Sequence, residues 1–122
     1  MVIEDLYRHR VTFRDENSIK ASLLINPRHE IFHGHFPEFA LTPGVCQLLM
    51  IREILEDVLK TSLMLRKARQ IKFTAIHEPG NESEIKASIS FTRNEYMLDV
   101  NAQLIGKEKV YLKFRGEFKE QR

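Results

Sequence analysis

Between positions 33 and 45 the sequence reads HGHFPEFALTPGV. His35 brings an imidazole, the side chain that takes up a proton most readily near neutral pH. Thr42 and Pro43 bring a helix start, because a Thr hydroxyl caps free amides and Pro is preorganised for the first helical position. The N–H groups of Gly44 and Val45 then fall at a helix N-terminus, where backbone donors lack intrahelical acceptors and the helix dipole favours negative charge. A base near such donors suits chemistry at a carbonyl: the base takes a proton while the amides hold an oxygen that becomes negative. His35 is the candidate catalytic base, and Gly44 and Val45 are candidate substrate-binding positions.

These groups need a helix to carry them. From Thr42 onward Val45, Leu48, Ile51, Ile54, Leu55 and Val58 recur at three- and four-residue spacing, which predicts one helix reaching about Lys60. Its first turns are apolar on nearly every side and are expected to be enclosed, whereas Arg52, Glu53, Glu56, Asp57 and Lys60 give the second half a wet face. Gln47 is an amide in the apolar arc and must find partners: backbone in a sheet, a subunit seam, or a substrate that it orients. Cys46 lies in the first turn, where a helix dipole lowers a thiol pKa, and reads either as a nucleophile with His35 or as a small buried side chain.

The rest of the chain alternates with the period of strands. Ile19, Ala21, Leu23 and Ile25 precede the motif; Ile71, Phe73 and Ala75, then Ile85 to Phe91, Tyr96 to Leu104, and Val110 to Phe118 follow it, separated by turns at EPGNE, RNE and Gly106. One helix followed by long antiparallel strands is an α+β pattern, in which the sheet buries its apolar face against that helix.

The motif resembles that of the hotdog-fold 3-hydroxyacyl-(acyl carrier protein) dehydratases. Their pattern runs H-F-P-x-x-P-x-x-P-G-V, and here His35, Phe36 and Pro37 are followed by Ala40 at the usual middle proline, then Pro43, Gly44 and Val45. The continuation Pro43-Gly44-Val45-Cys46-Gln47-Leu48 is similar to the P-G-V-x-Q-L of dehydratase-like proteins from aryl-polyene pathways. The resemblance implies a hotdog: an antiparallel sheet wrapped around one central helix, paired into a homodimer or into a heterodimer with a related hotdog subunit. It further implies an acyl carrier protein bearing the thioester, no cofactor, and His35 as the base that removes the proton beside the carbonyl.

In that family a carboxylate four residues after the valine helps the hydroxyl leave, and this sequence has Leu49 there. Leucine transfers no proton. The next acid, Glu53, lies one helical turn onward and about 40° around the axis, so it is the candidate acid, alternatively a member of the solvated face. Water or a residue of a partner subunit could take the same role. Two rival functions follow: a non-catalytic hotdog subunit paired with an active dehydratase, and a hotdog acyl thioesterase.

Composition narrows the rest. The 122 residues, 43% hydrophobic, suffice for one domain over 1–122. The single cysteine and the charged start MVIEDLYRHR point to the cytoplasm. No apolar run reaches the roughly 18 residues of a membrane span. A net charge of +2, spread along the chain, gives no nucleic-acid footprint. His29, His33 and His35 lack the carboxylate or thiolate companions of a metal site, so no metal is expected. Arg66, Lys67, Arg69 and Lys72 follow the helix as either a docking patch for an acidic carrier or ordinary surface charge.

Overall fold

Ile19, Ala21, Leu23 and Ile25 are each at most 1% exposed while their neighbours face out, the alternation of a strand with one wet side. The computed structural model describes residues 5–30 and 44–121. In chain order these form β1 (Tyr7–Arg14), β2 (Ser18–Ile25), α1 (Gly44–Leu59), β3 (Ser62–Phe73), β4 (Glu84–Asn94), β5 (Met97–Ile105) and β6 (Val110–Gln121). All strand pairs are antiparallel, in the order β1-β2-β4-β5-β6-β3.

Register explains why a helix fits on this sheet. Ile19, Ile89, Ala102 and Phe114 stand side by side across four strands, and Ala21, Ala87, Leu104 and Leu112 form the next row. The alanines lower the surface and the larger side chains wall it. Met50, Ile51, Ile54 and Leu55 of α1 are fully buried above it. Burying a side chain of this size is worth about 1.5–3 kcal/mol. The helix ends where Lys60 adopts a left-handed φ of 55°, and Glu56 Oε2 accepts the Leu63 N–H at 2.8 Å, fixing the entry into β3.

Burial on α1 divides by side rather than by half. Cys46, Gln47, Met50, Ile51, Ile54, Leu55 and Val58 are buried from one end of the helix to the other, whereas Val45 is 61% exposed. The expected enclosure of the first turns is therefore corrected: the sheet runs the full length of the helix and covers only one arc.

Two strands escape the alternation rule. Alternation does not predict β1, and it predicts β3 only from Ile71, whereas that strand begins at Ser62. Both lie at sheet edges, where polar residues are tolerated on either face, and both carry bulges that break the period: Val11/Phe13 in β1, Leu65/Lys67 and Ala68/Gln70 in β3. The helix starts at Gly44, within two residues of the expected cap, and the later turns fall where expected. The turn between β4 and β5 tightens to Glu95 and Tyr96, with Glu95 at a φ of 56°.

Candidate active site

α1 begins at Gly44 with no acidic residue in its first turn, so within the helix itself no carboxylate neutralises the positive end of its dipole. Gly44 sits hard against its neighbour. A Cβ at this position would stand 2.5 Å from Cζ of Phe73, at the end of β3. Strand and helix start thus touch through a glycine on one side and a half-exposed phenyl ring on the other. The N–H groups of Gly44 and Val45 belong to the turn whose donors have no intrahelical acceptor. His35, Thr42 and Pro43 lie outside the described residues.

Beside this helix start lies an apolar cleft of about 170 Å³ between α1 and the β3–β6 end of the sheet, bordered by Val45, Leu48, Leu49, Arg52, Leu65 and Phe118. Its lining suits a hydrocarbon chain. Among the described residues Arg52 is its single charged border residue, with Nε 3.8 Å from Glu56 Oε1. Leu49 therefore adds apolar surface to the cleft and supplies it no carboxylate. A wider polar groove of about 460 Å³ lies over Ser90, Asn101 and Arg115 on the outer face of the sheet. The sheet separates that groove from α1, so we place the site at the helix start.

Glu53 does not border the cleft. It is half-buried on the other flank of α1, facing Tyr7 of β1. Burial raises the Tyr7 phenol well above its ordinary range, with the Glu53 charge and a hydrogen bond toward Glu53 next in importance. Tyr7 Oη is buried without a well-aligned acceptor, so the two groups face one another without closing a short, directed bond. The phenol also feels Arg52 and Cys46, which places it over the first two turns of the helix. One turn further, His9 Nε2 lies 3.1 Å from Asp57 Oδ2, and that hydrogen bond holds the Asp57 carboxyl below its ordinary range. β1 is thus laid along the acidic flank of α1. Tyr7 was missed as a site neighbour because β1 was not expected; its signal was an aromatic residue in phase with His9 and Val11.

Gln47 is 3% exposed on the core side of the helix. Cys46 is 1% exposed, and burial pushes its thiol pKa up. Of the two readings of Cys46, this is the small buried side chain, and desolvation outweighs the dipole that would lower its pKa at an exposed position. The cations Arg66, Lys67, Arg69 and Lys72, which follow the helix in sequence, lie on β3. Arg69 is engaged by Asp99 at 3.0 Å and Glu117 at 3.4 Å.

A second polar cluster lies in the connection from β3 to β4. His77 is 1% exposed, with Nε2 2.7 Å from the Glu82 carbonyl and its ring edge-on to Tyr111 at 4.8 Å. The Tyr111 hydroxyl donates to Glu82 Oε1, and Lys107 N–H donates to Oε2 at 2.9 Å. A Cβ on Gly106 would collide with that carboxylate. One glutamate thereby ties this connection to the β5–β6 turn, a structural clasp that reading EPGNE only as a turn did not disclose.

A six-stranded antiparallel sheet around one long helix, with the candidate site at the helix start, defines a hotdog protein. The fold is shared with solved structures. The dehydratase heterocomplex ApeI:P from Xenorhabdus doucetiae matches at a TM-score of 0.66 and 19% identity, over 94% of this chain and 99% of that one. An uncharacterized protein from Erwinia carotovora subsp. atroseptica matches at 0.63 and 20%, over 93% and 92%, and a Bacillus halodurans protein solved with CoA at 0.63 and 10%, over 93% and 74%. A comparison with curated proteins finds no match. The family model of the ApeI dehydratase matches residues 11–115. The chain belongs to the ApeI-like dehydratase family. Among the described residues no helix is long and apolar enough to cross a membrane.

Proposed function

We propose that the protein dehydrates a 3-hydroxyacyl thioester, carried on an acyl carrier protein, to the trans-2-enoyl thioester, in the cytoplasmic assembly of an aryl polyene or a related acyl chain. The observation that carries this reading is the helix start at Gly44, open at Val45 and bordering an apolar cleft. The acyl chain lies along Leu48, Leu49 and Leu65, and the thioester oxygen accepts from the Gly44 and Val45 amides, with Gln47 orienting the substrate. His35 takes the proton from the carbon beside the carbonyl. The electron pair moves into the new double bond, the C3–O bond breaks, and the hydroxyl leaves as water with a proton from an acid. Glu53 does not border the cleft, so as the acid it passes its proton through a bridging water, with Tyr7 facing it; water alone or a residue of a partner subunit takes the role otherwise.

Leu49 favours a second reading. An apolar residue at the family's carboxylate position also fits a subunit that keeps the acyl cleft and pairs with an active hotdog dehydratase, as the ApeI:P neighbour forms a heterocomplex.

The intact mass of a 3-hydroxyacyl carrier protein, followed in both the dehydration and hydration directions, tests these readings. Loss of water by the purified chain, abolished by His35→Ala, is the expected result. No reaction in either direction from the folded chain alone, with turnover restored by a hotdog partner, selects the subunit reading. Release of a free thiol selects a thioesterase.

A further inference from the structure

The outer face of the sheet holds a concavity that the chemistry at the helix start does not use. Ser90, Asn101 and Arg115 stand side by side on β4, β5 and β6, and with strands about 4.8 Å apart the row spans about 10 Å. Together with Asn17, Arg69, Thr92 and Asp99 they line the polar groove of about 460 Å³. A volume of this size lies within the range of small-molecule sites, roughly 300–1,000 Å³. The short side chains of Ser90 and Asn101 give the groove depth, and each brings a donor to it.

Its charges do not cancel. Arg69 is the extra residue of the second bulge of β3, between Ala68 opposite Gly116 and Gln70 opposite Arg115. A bulge re-aims a side chain, and this guanidinium lies over the outer face, held by Asp99 at 3.0 Å and Glu117 at 3.4 Å. Gly116 leaves room for the bulged backbone, since a Cβ there would collide with the Lys67 carbonyl. Of the three charged residues that line the groove, Arg69 and Asp99 therefore satisfy one another. Arg115 is the third. It is exposed and forms no ion pair with a described residue.

We propose that this groove binds a small phosphorylated polyol, with Arg115 anchoring the phosphate. A guanidinium offers a planar fork to two phosphate oxygens. The Ser90 hydroxyl and the Asn101 amide, in the same row, supply donors for a third oxygen, which a carboxylate lacks. Asn17, Thr92 and the Asp99 carboxylate suit the hydroxyls of the attached carbon skeleton. Phe91 lies buried beneath the groove, 7% exposed, so a nucleobase finds no aromatic platform there. The sheet stands between this groove and α1, and the assignment does not depend on the dehydratase reading.

Ribose 5-phosphate is the probe. Amide chemical shifts of the isotope-labelled full chain are followed through titrations with ribose 5-phosphate, ribose and succinate at constant ionic strength. The expected result is saturable shifts centred on Ser90, Asn101, Arg115 and Gly116 with the phosphate ester, none with ribose, and binding of succinate at least about tenfold weaker. Arg115→Gln is expected to weaken binding at least about tenfold. Lys86→Gln removes the same charge from another groove of the outer face and is expected to leave binding unchanged. Arg115→Lys keeps the charge without the fork; it is expected to bind severalfold more weakly than the wild type, and it serves if Arg115→Gln misfolds by circular dichroism. The absence of saturable shifts overturns the proposal, as does succinate binding as tightly as the ester. So does an Arg115→Gln or Arg115→Lys protein that binds like the wild type, or an equal loss in Lys86→Gln, which would reduce the effect to general surface charge. Turnover does not enter the readout, so a failed dehydratase reading and a failed phosphate site remain distinguishable.

Discussion

The ring of Phe73 occupies the place where a side chain on Gly44 would stand, with Cζ 2.5 Å from that position. The last residue of β3 thereby sets the approach of the helix whose N-terminal amides form the candidate oxyanion site.

Gly44→Ala is expected to lower kcat/KM about 100-fold, the scale of a lost oxyanion donor, by driving the helix start and the ring apart. Phe73→Ala in the same chain returns part of the loss, because the ring is half-exposed and its removal frees the space. A double-mutant cycle on turnover measures the coupling. Purely additive losses would show that the contact does not position the amides.

Glu53→Gln is expected to reduce kcat about 100-fold with little change in KM, the scale of a missing general acid. Leu49→Glu placed in that background restores turnover by returning a carboxylate to the family position, at a cost of about 1–3 kcal/mol for polar burial in the cleft. Steady-state kinetics with carrier-bound substrate decides. An unaffected Glu53→Gln protein would assign the proton to water or to a partner subunit.

Tyr7→Phe removes a buried hydroxyl that lacks a well-aligned acceptor. Stability is expected to stay level or rise by up to about 1 kcal/mol, read from chemical denaturation, while turnover falls severalfold through loss of the group facing Glu53.

Acid is expected to destabilise the fold in two steps. Burial holds the His77 pKa below its ordinary 6.5, so below that pH the unfolded chain takes up a proton that the folded chain refuses, and stability falls. Tyr111 and the Lys107 amide hold the Glu82 pKa below its ordinary 4.5, so the stability it contributes is present above that value and is lost as pH falls through the lowered one. Thermal unfolding of His77→Phe is expected to show a lower Tm near neutrality, from the lost bond to Glu82, but a flatter dependence between about pH 7 and 5. Burial, followed by the hydrogen bond and charge of Glu82, pushes the Tyr111 phenol up to about 12, so Glu82→Gln is expected to return only part of its ultraviolet titration toward 10.0.

Where one face of an element is buried, residue order disclosed it. Ile85, Ala87 and Ile89 alternate because the helix lies on one side of them and solvent on the other, and Met50, Ile54 and Val58 repeat because the sheet does the reverse. β1 and the first half of β3 show little apolar contrast: Arg8, Arg10, Arg66 and Arg69 sit on edge strands, and the face that β1 turns toward α1 carries Tyr7 and His9 rather than an aliphatic row. The site divides along the same line. Gly44 and Val45 were legible through the local Thr42-Pro43 signal. The facing of Glu53 and Tyr7 was not, because it joins residues far apart in sequence through a strand without an apolar signature. His35 was singled out by its motif and lies outside the described residues.

The two bulges of β3 carry an arithmetic consequence. Leu63 and Leu65 face inward before the first bulge, Ala68 between the two, and Ile71 and Phe73 after the second, so each bulge reverses the parity of the inward positions and the pair restores it. Removing the extra residue of either bulge, Arg66 or Arg69, would make the ladder regular there and leave Ile71 opposite Phe114 and Phe73 opposite Leu112, still on the inside against Gly44. The two bulges are therefore slack in the strand: it can lose one residue at each without turning its inward row, whereas a residue lost from the regular stretch beyond them has no bulge to absorb it.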